Sequence, residues 1–267
     1  MKTLITVMFF LSSASLFGQA QKEVEKDSVS NKTYDNYIGV SQMLVSYNEP
    51  IKQTDLLTSV EYVRKFKKQT LVTRINRIDF IQQKDYSLET EFYQKAGKHS
   101  YLFLNASAGL NKKVFPQYNL AAEFYSLAFK RVEYSLGYRV LHFSSNNVNL
   151  VFGSLGYYYH NYYFVYRPTV QIDNNKGFLT QIFFLRRYFD DEKSYLQLDF
   201  QRGNLPYIFS GIGDIGTLKS SRFIIQAKLK LLQTWYIKPF YMFEKEEYYL
   251  DRFRDKNYFQ IGLIKQF

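Results

Sequence analysis

The chain has no cysteine, only three histidines and, beyond its N-terminal segment, no apolar run long enough for a membrane-crossing helix. The first absence removes disulfides, thiolate metal sites and a lipid-modified N-terminal cysteine. Isolated histidines without cysteine give no metal-ligand spacing, so the sequence implies no metal and no cofactor. A spanning helix needs about 20 predominantly apolar residues. If this protein lies in a membrane it must cross as a closed barrel, because only helices and barrels satisfy every backbone group in lipid. A glycine-rich phosphate loop is also missing: Gly211, Gly213 and Gly216 fall in a loop, not a strand-to-helix turn. The formal charge of +11 comes without a basic helix or an RNP-like motif. No nucleic acid is expected, and attraction to anionic lipid headgroups or acidic glycans is the milder reading.

What is present is aromatic. Tyr and Phe each number 25, aromatics make up 19% of the chain, and mean hydropathy is still −0.32. Many aromatics in a chain that is polar on average imply alternation rather than a continuous apolar core. The N-terminus reads as an export signal. Lys2 is the positive region, Leu4 to Leu11 the apolar region, and Gly18-Gln19-Ala20 the small-residue site, so cleavage is expected after Ala20. The apolar part is too short to act as a membrane anchor. Residues 1–20 are thus assigned to the signal, 21–36 to a polar periplasmic tail and 37–267 to an outer-membrane barrel.

Period-two segments separated by turn residues fill the third part. Val132, Tyr134, Leu136, Tyr138 and Val140 alternate with Glu133, Ser135, Gly137 and Arg139. Phe223 to Leu231, Leu196 to Phe200 and Tyr86 to Phe92 repeat the pattern. One apolar face and one polar face suit a wall with lipid outside and water inside. The fold class is therefore all-β: a transmembrane antiparallel up-and-down barrel of about 14 strands, each near ~10 residues, with 12 as the alternative. The strands start near Tyr37, Asp55, Thr70, Asp85, His99, Gln117, Arg131, Asn147, Asn161, Gly177, Ser194, Lys219, Thr234 and Asn257. With both termini periplasmic, the long connections Gly203–Thr217 and Glu244–Lys256 fall outside, and the tight turns at Lys130, His160 and Gln233 fall inside. Tyr157, Tyr158, Tyr159, Tyr162 and Tyr163 flank one such turn, where an interfacial aromatic girdle is expected. Phe259, Ile261, Leu263 and the terminal Phe267 alternate like the signal read by barrel assembly machinery, although Lys265 interrupts them.

The blocks SLGYRVLHF (Ser135–Phe143), GSLGYYYHNYYFVYRP (Gly153–Pro168) and RRYFDDEKSYLQLDF (Arg186–Phe200) resemble the YaiO family of outer-membrane β-barrel proteins, most strongly over Tyr134–Arg202. The resemblance implies a bacterial outer-membrane location and a barrel. It implies no settled chemistry, although some members lie fused or close to glycan-handling proteins.

The histidines that could carry chemistry are His99, His142 and His160. His142 lies near Ser144, Ser145 and Asn146, where a rim-active lipid-modifying enzyme would place a nucleophile and base. An ordinary SSNN turn explains the same residues. Asp190-Asp191-Glu192 lacks the glycine-bearing loop of a calcium site and reads as a solvated turn. No catalytic motif emerges, and the chain is read as a non-enzyme. Strand parity points Glu61, Glu89, Glu91, Glu133, Arg139, Arg167, Asp199, Arg222, Lys228 and Lys238 into the lumen, with Tyr163 and Tyr195. Such groups either line an open pore for a small polar or glycan solute or pair across a filled barrel. A surface barrel that binds partners through the Gly203–Thr217 loop is the third reading. The partners implied are outer-membrane lipids, assembly machinery and that solute.

Overall fold

The computed structural model describes residues 35–48, 54–80, 83–111, 114–128, 130–144, 147–173, 176–189, 193–203, 219–249 and 251–267. The export signal, most of the tail, the acidic run at 190–192 and nearly all of the Gly203–Thr217 connection lie outside these residues.

Fourteen strands form one closed antiparallel barrel. They are β1 (Asp35–Tyr47), β2 (Thr54–Lys65), β3 (Gln69–Phe80), β4 (Gln83–Lys95), β5 (Ser100–Gly109), β6 (Tyr118–Ala128) and β7 (Val132–His142). The second half comprises β8 (Asn147–Tyr159), β9 (Tyr162–Asp173), β10 (Lys176–Tyr188), β11 (Tyr195–Gly203), β12 (Ser220–Leu232), β13 (Trp235–Tyr249) and β14 (Arg252–Gln266). Each strand pairs with its sequence neighbours, and β1 closes on β14 from Tyr37↔Gln266 to Tyr47↔Lys256. Asn36 and Phe267 exchange backbone hydrogen bonds of 3.1 and 2.9 Å at the end of that seam. An even strand number brings both termini to one end of the barrel, called here the terminal end; the other is the distal end.

The burial is that of a soluble sheet turned inside out. Outward positions such as Ile75, Leu136, Leu155, Phe183 and Ile261 are exposed and apolar, whereas Glu89, Asp199, Arg186 and Lys256 are buried inside. An apolar surface that encircles the barrel far exceeds what a soluble monomer exposes and suits lipid. Terminal-end turns are tight: Lys130 and His160 adopt φ values of 62° and 50°, the left-handed backbone that two-residue hairpin turns demand.

The first thirteen strands begin within two residues of the positions read from the sequence; the fourteenth does not. Glu244–Lys256, read above as a long loop, is a continuation of the β13–β14 ladder. Glu244 faces Lys256, Lys245 faces Asp255 and Glu246 faces Arg254, and a bulge between Glu247 and Tyr249 precedes the turn at Asp251. The apolar alternation breaks because Lys245 and Asp255 put charge on the outer face beside Phe253, but the inward charges still alternate.

Candidate functional site

Among the described residues the lumen gathers the buried polar chemistry, and it is layered along the barrel axis. At the terminal end Tyr37, Tyr93, Tyr101, Tyr125, Tyr163, Tyr188, Tyr195 and Tyr236 are buried on the inner face, with Tyr158 half-buried beside them. Buried phenols require hydrogen-bond partners, and Tyr93, Tyr101, Tyr125, Tyr158, Tyr163, Tyr188 and Tyr236 have them. Glu133 accepts from Tyr101 (3.4 Å), Tyr158 (3.5 Å) and Tyr163. Tyr93 donates to Glu91 at 2.5 Å, while Arg186 donates to Tyr188 at 3.1 Å. The expected girdle is therefore divided. Tyr157 and Tyr159 are exposed on the lipid side, but Tyr158 and Tyr163 stack inside at 4.1 Å. Successive residues of a strand point to opposite faces, so a run of adjacent tyrosines cannot all lie at one interface.

Tyr163 also covers Gly156. A Cβ on Gly156 would lie 2.7 Å from the Tyr163 ring, closer than packed atoms approach. Gly156→Ala is expected to push Tyr163 off Glu133 and cost about 1–3 kcal/mol, the usual effect of overpacking. Urea titration of the folded, fast-migrating gel band measures it. In a Tyr163→Ala background the same change is expected to cost much less, because the clash is gone.

The middle layer is ionic. Arg74 donates to Glu61 at 2.5 Å, to Glu89 at 2.7 Å and to Glu91 at 3.3 Å. Asn105 adds a bond of 2.7 Å to Glu89. Across the lumen, Arg167 on β9 grips Glu123 on β6 through bonds of 2.8 and 2.7 Å and lies 4.7 Å over the Phe152 ring. Arg186 binds the Gln197 amide oxygen, and Gln197 passes the chain on to Asp199 at 2.6 Å. Nearer the distal end Arg222 and Tyr258 reach Glu244 at 2.6 and 2.7 Å, while Lys256 and Arg254 bind Glu246 at 2.5 and 2.8 Å.

Glu61, Glu89, Glu91, Glu133, Arg139, Arg167, Asp199, Arg222, Lys228 and Lys238 all lie on the inner face, and most are buried there. The sequence reading missed their main partners: Arg74, Glu123, Arg186 and Gln197, together with Glu244, Glu246, Arg254 and Lys256. The first four follow from the same strand parity. The other four lay in the stretch taken for a loop.

At the distal end an apolar layer covers the ions. Met43, Val45, Leu57, Ile78, Ile224 and Met242 pack with Val114 and Phe115, which come from the β5–β6 connection and are buried. That connection is tethered by Asp85, itself fully buried. The Asp85 carboxylate accepts backbone N–H bonds from Tyr86 (2.8 Å), Asn111 (3.1 Å), Val114 (2.7 Å) and Phe115 (2.9 Å). Lys112 and Lys113 lie outside the described residues.

Among the described residues the rim serine–histidine arrangement is not assembled. His142 Nδ1 lies 2.6 Å from the Asn147 amide oxygen and its ring stacks on Tyr118 at 4.5 Å. The Ser144 hydroxyl instead accepts from Gln117 at 3.0 Å; Ser145 and Asn146 lie outside the described residues. Among the described residues no three His, Cys, Asp or Glu side chains converge as metal ligands. On the last strand Phe259, Ile261 and Leu263 face outward. Lys265, which breaks their alternation, lies 5.4 Å over the Trp235 ring, an amphipathic contact that keeps its stem on the apolar wall.

The model of the YaiO membrane beta barrel domain matches residues 35–208. The chain belongs to the YaiO family. This YaiO barrel is an outer-membrane β-barrel. The matched stretch runs from β1 through β11 and includes Asp85 and the Arg74 cluster; Lys228, Lys238 and the Glu244 cluster lie beyond it. Among curated proteins nothing matches the chain. Among solved structures it is similar to the CymD monoaromatic hydrocarbon channel, with a TM-score of 0.56 at 4% identity over 97% of this chain and 93% of that one. It is also similar to a bacterial polysaccharide outer membrane secretin, with a TM-score of 0.50 at 8% identity over 90% of this chain and 100% of that one. At such identities the YaiO barrel shares a fold with these proteins and nothing finer.

Proposed function

We propose that this barrel is a non-enzymatic conduit for a small polar solute, closed at rest and opened by movement of the β5–β6 connection. The observation that carries the reading is that connection, turned inward on Asp85 so that Val114 and Phe115 fill the distal mouth. Beneath it, polar groups from nearly every strand line the lumen. A barrel that needed only to be rigid would be as stable with an apolar filling, since buried ion pairs seldom add net stability over well-packed hydrophobic residues. A polar lining under a hinged apolar plug fits passage better than mere support. The fold is shared with one protein named a hydrocarbon channel and one named a polysaccharide secretin, which accords with conduction and leaves the solute to the lining. In this reading residues 1–20 direct export with cleavage after Ala20, the terminal end faces the periplasm, and the β14 side chains ending at Phe267 are read by the assembly machinery.

The test is planar-bilayer recording of the purified protein beside Asp85→Ala. Hydrogen bonds to a charged group each contribute roughly 1.5–3 kcal/mol. Losing the tether is therefore expected to make conductance steps at least about tenfold more frequent than in wild type. Equal silence of both proteins would sink the conduit. Retained heat-modifiable migration shows that the variant is still a barrel.

A further inference from the structure

One inward pair is set against the rule that governs the rest of the lumen. Register along β12 and β13 runs from Gln226 opposite Phe240 to Leu229 opposite Ile237, which sets Lys228 directly opposite Lys238. Both point inside. Like charges at directly opposed positions destabilise a sheet, and Lys228 is buried, only 8% exposed. No carboxylate lies within 4.0 Å of its ammonium among the described residues; Lys65 and Lys193 add to the positive field around it, and Glu61 opposes that field from further away. Its nearest support is aromatic: Tyr236 at 4.7 Å and Tyr37 at 5.8 Å. Lys238 reaches only Glu61, at 3.9 Å, and the other oxygen of that carboxylate is held by Arg74.

The wall beside this pair has been emptied. Gly39 and Ser41 on β1 and Gly262 on β14 occupy the inward positions next to Lys238, and a Cβ on Gly262 would come 3.3 Å from both Lys238 and Ser41. The result is a cavity of about 70 Å³ lined by Lys238, Arg74, Glu61, Ser41, Ser59 and Gln260. The volume corresponds to about two waters, or to one compact charged group. Gln260 Oε1 is buried there without a hydrogen-bond partner; a half-turn of the amide would present its NH2 donors to the cavity instead.

We propose that Lys228 and Lys238 form an anion-binding site in the lumen, which takes a carboxylate or phosphate group carried by a small solute. Two lysines at directly opposed register positions, with hydroxyls and an amide in the cavity beside Lys238, supply donors and positive charge that Glu61, already held by Arg74, offsets only in part. Arg74 is committed to its three carboxylates, and Glu61 limits the site to one anionic group at a time. The inference deepens the conduit reading, on which it rests, by naming the solute class: a small organic molecule that carries one carboxylate or phosphate group.

The test is equilibrium binding to the full mature protein in detergent micelles, followed by thermal unfolding at constant ionic strength. The probes are glucuronate and glucose 6-phosphate, with glucose as the uncharged control. At least one anion is expected to raise the unfolding temperature while glucose does not; which of the two acts tells a carboxylate solute from a phosphate one. Lys228→Gln and Lys238→Gln are each expected to weaken that binding about tenfold, whereas Lys238→Arg retains it. Without ligand, both glutamine variants are expected to be at least as stable as wild type, because the repulsion is relieved. An equal response to glucose, or unchanged anion affinity in both glutamine variants, overturns the site. Conductance without lysine-dependent binding removes the site and leaves the conduit. Lysine-dependent binding to a protein silent even as Asp85→Ala removes the conduit and leaves an anion site.

Discussion

Arg74→Ala is expected to be among the most damaging single substitutions in the barrel, at about 3–5 kcal/mol, the range for removing one partner of a buried ion pair. The guanidinium is buried and touches three carboxylates at once. Its loss leaves Glu61, Glu89 and Glu91 close together inside the wall, where an uncompensated carboxylate must either take up a proton or draw in water. The damage should be relieved when the acids are removed with it. A quadruple variant with Leu at position 74 and Gln at positions 61, 89 and 91 is expected to recover most of the loss. Urea midpoints of the folded gel band, compared between the two variants, decide the matter. A single variant as stable as wild type would mean that the cluster contributes nothing.

The second large effect is expected from Glu244→Ala. Glu244 is fully buried and accepts from Arg222, Tyr258 and Ser220 at 2.6, 2.7 and 2.8 Å. Alanine takes a close carboxylate from the buried Arg222 guanidinium and from Lys256, to which Glu246 stays bound. A cost of about 3–5 kcal/mol is expected, with the β13–β14 hairpin above Glu244 opening first. Amide exchange measures this directly: protection at residues 252–256 should fall further than protection at the seam between β1 and β14. Uniform loss of protection over the whole barrel would contradict a local role. Glu244→Gln, which preserves the shape and one acceptor, is expected to cost much less.

These two clusters show what could and could not be read from the chain. Around Val132 to Val140 one face meets lipid and the other the lumen, so apolar and polar residues alternate and the strand is plain in the sequence. The strand count came from such segments. At Glu244 to Lys256 the ladder continues, but Lys245 and Asp255 face outward without apolar character and the hydrophobic period vanishes. A period-two pattern of charge survives, Glu244 with Glu246 against Arg254 with Lys256, and it was the signal to follow. Arg74 was legible by the parity that found Glu89 and Glu91, since the register sets Arg74 opposite Glu61 and Glu89. Asp85 was not. Its partners are backbone amides of a connection about 30 residues further on, and no local pattern encodes such a contact. The tyrosines divided for a simpler reason: adjacent residues in a strand cannot face the same way, so any tyrosine run at a lipid interface also furnishes the lumen.

The small residues of the β1–β14 seam carry a consequence for how the barrel is made. At mid-height this junction presents Gly39, Ser41 and Gly262 to the interior, whereas the junctions around it interlock arginines, glutamates and aromatic rings. Two strand edges can meet there and hydrogen-bond before any bulky group has found its place. Bonding can then spread both ways, toward Tyr37 and Ile264 at one end and Met43 and Tyr258 at the other. The joint between the first and last strands is thus the one with least to thread past it, as the teeth of a zip are left narrow where the slider engages.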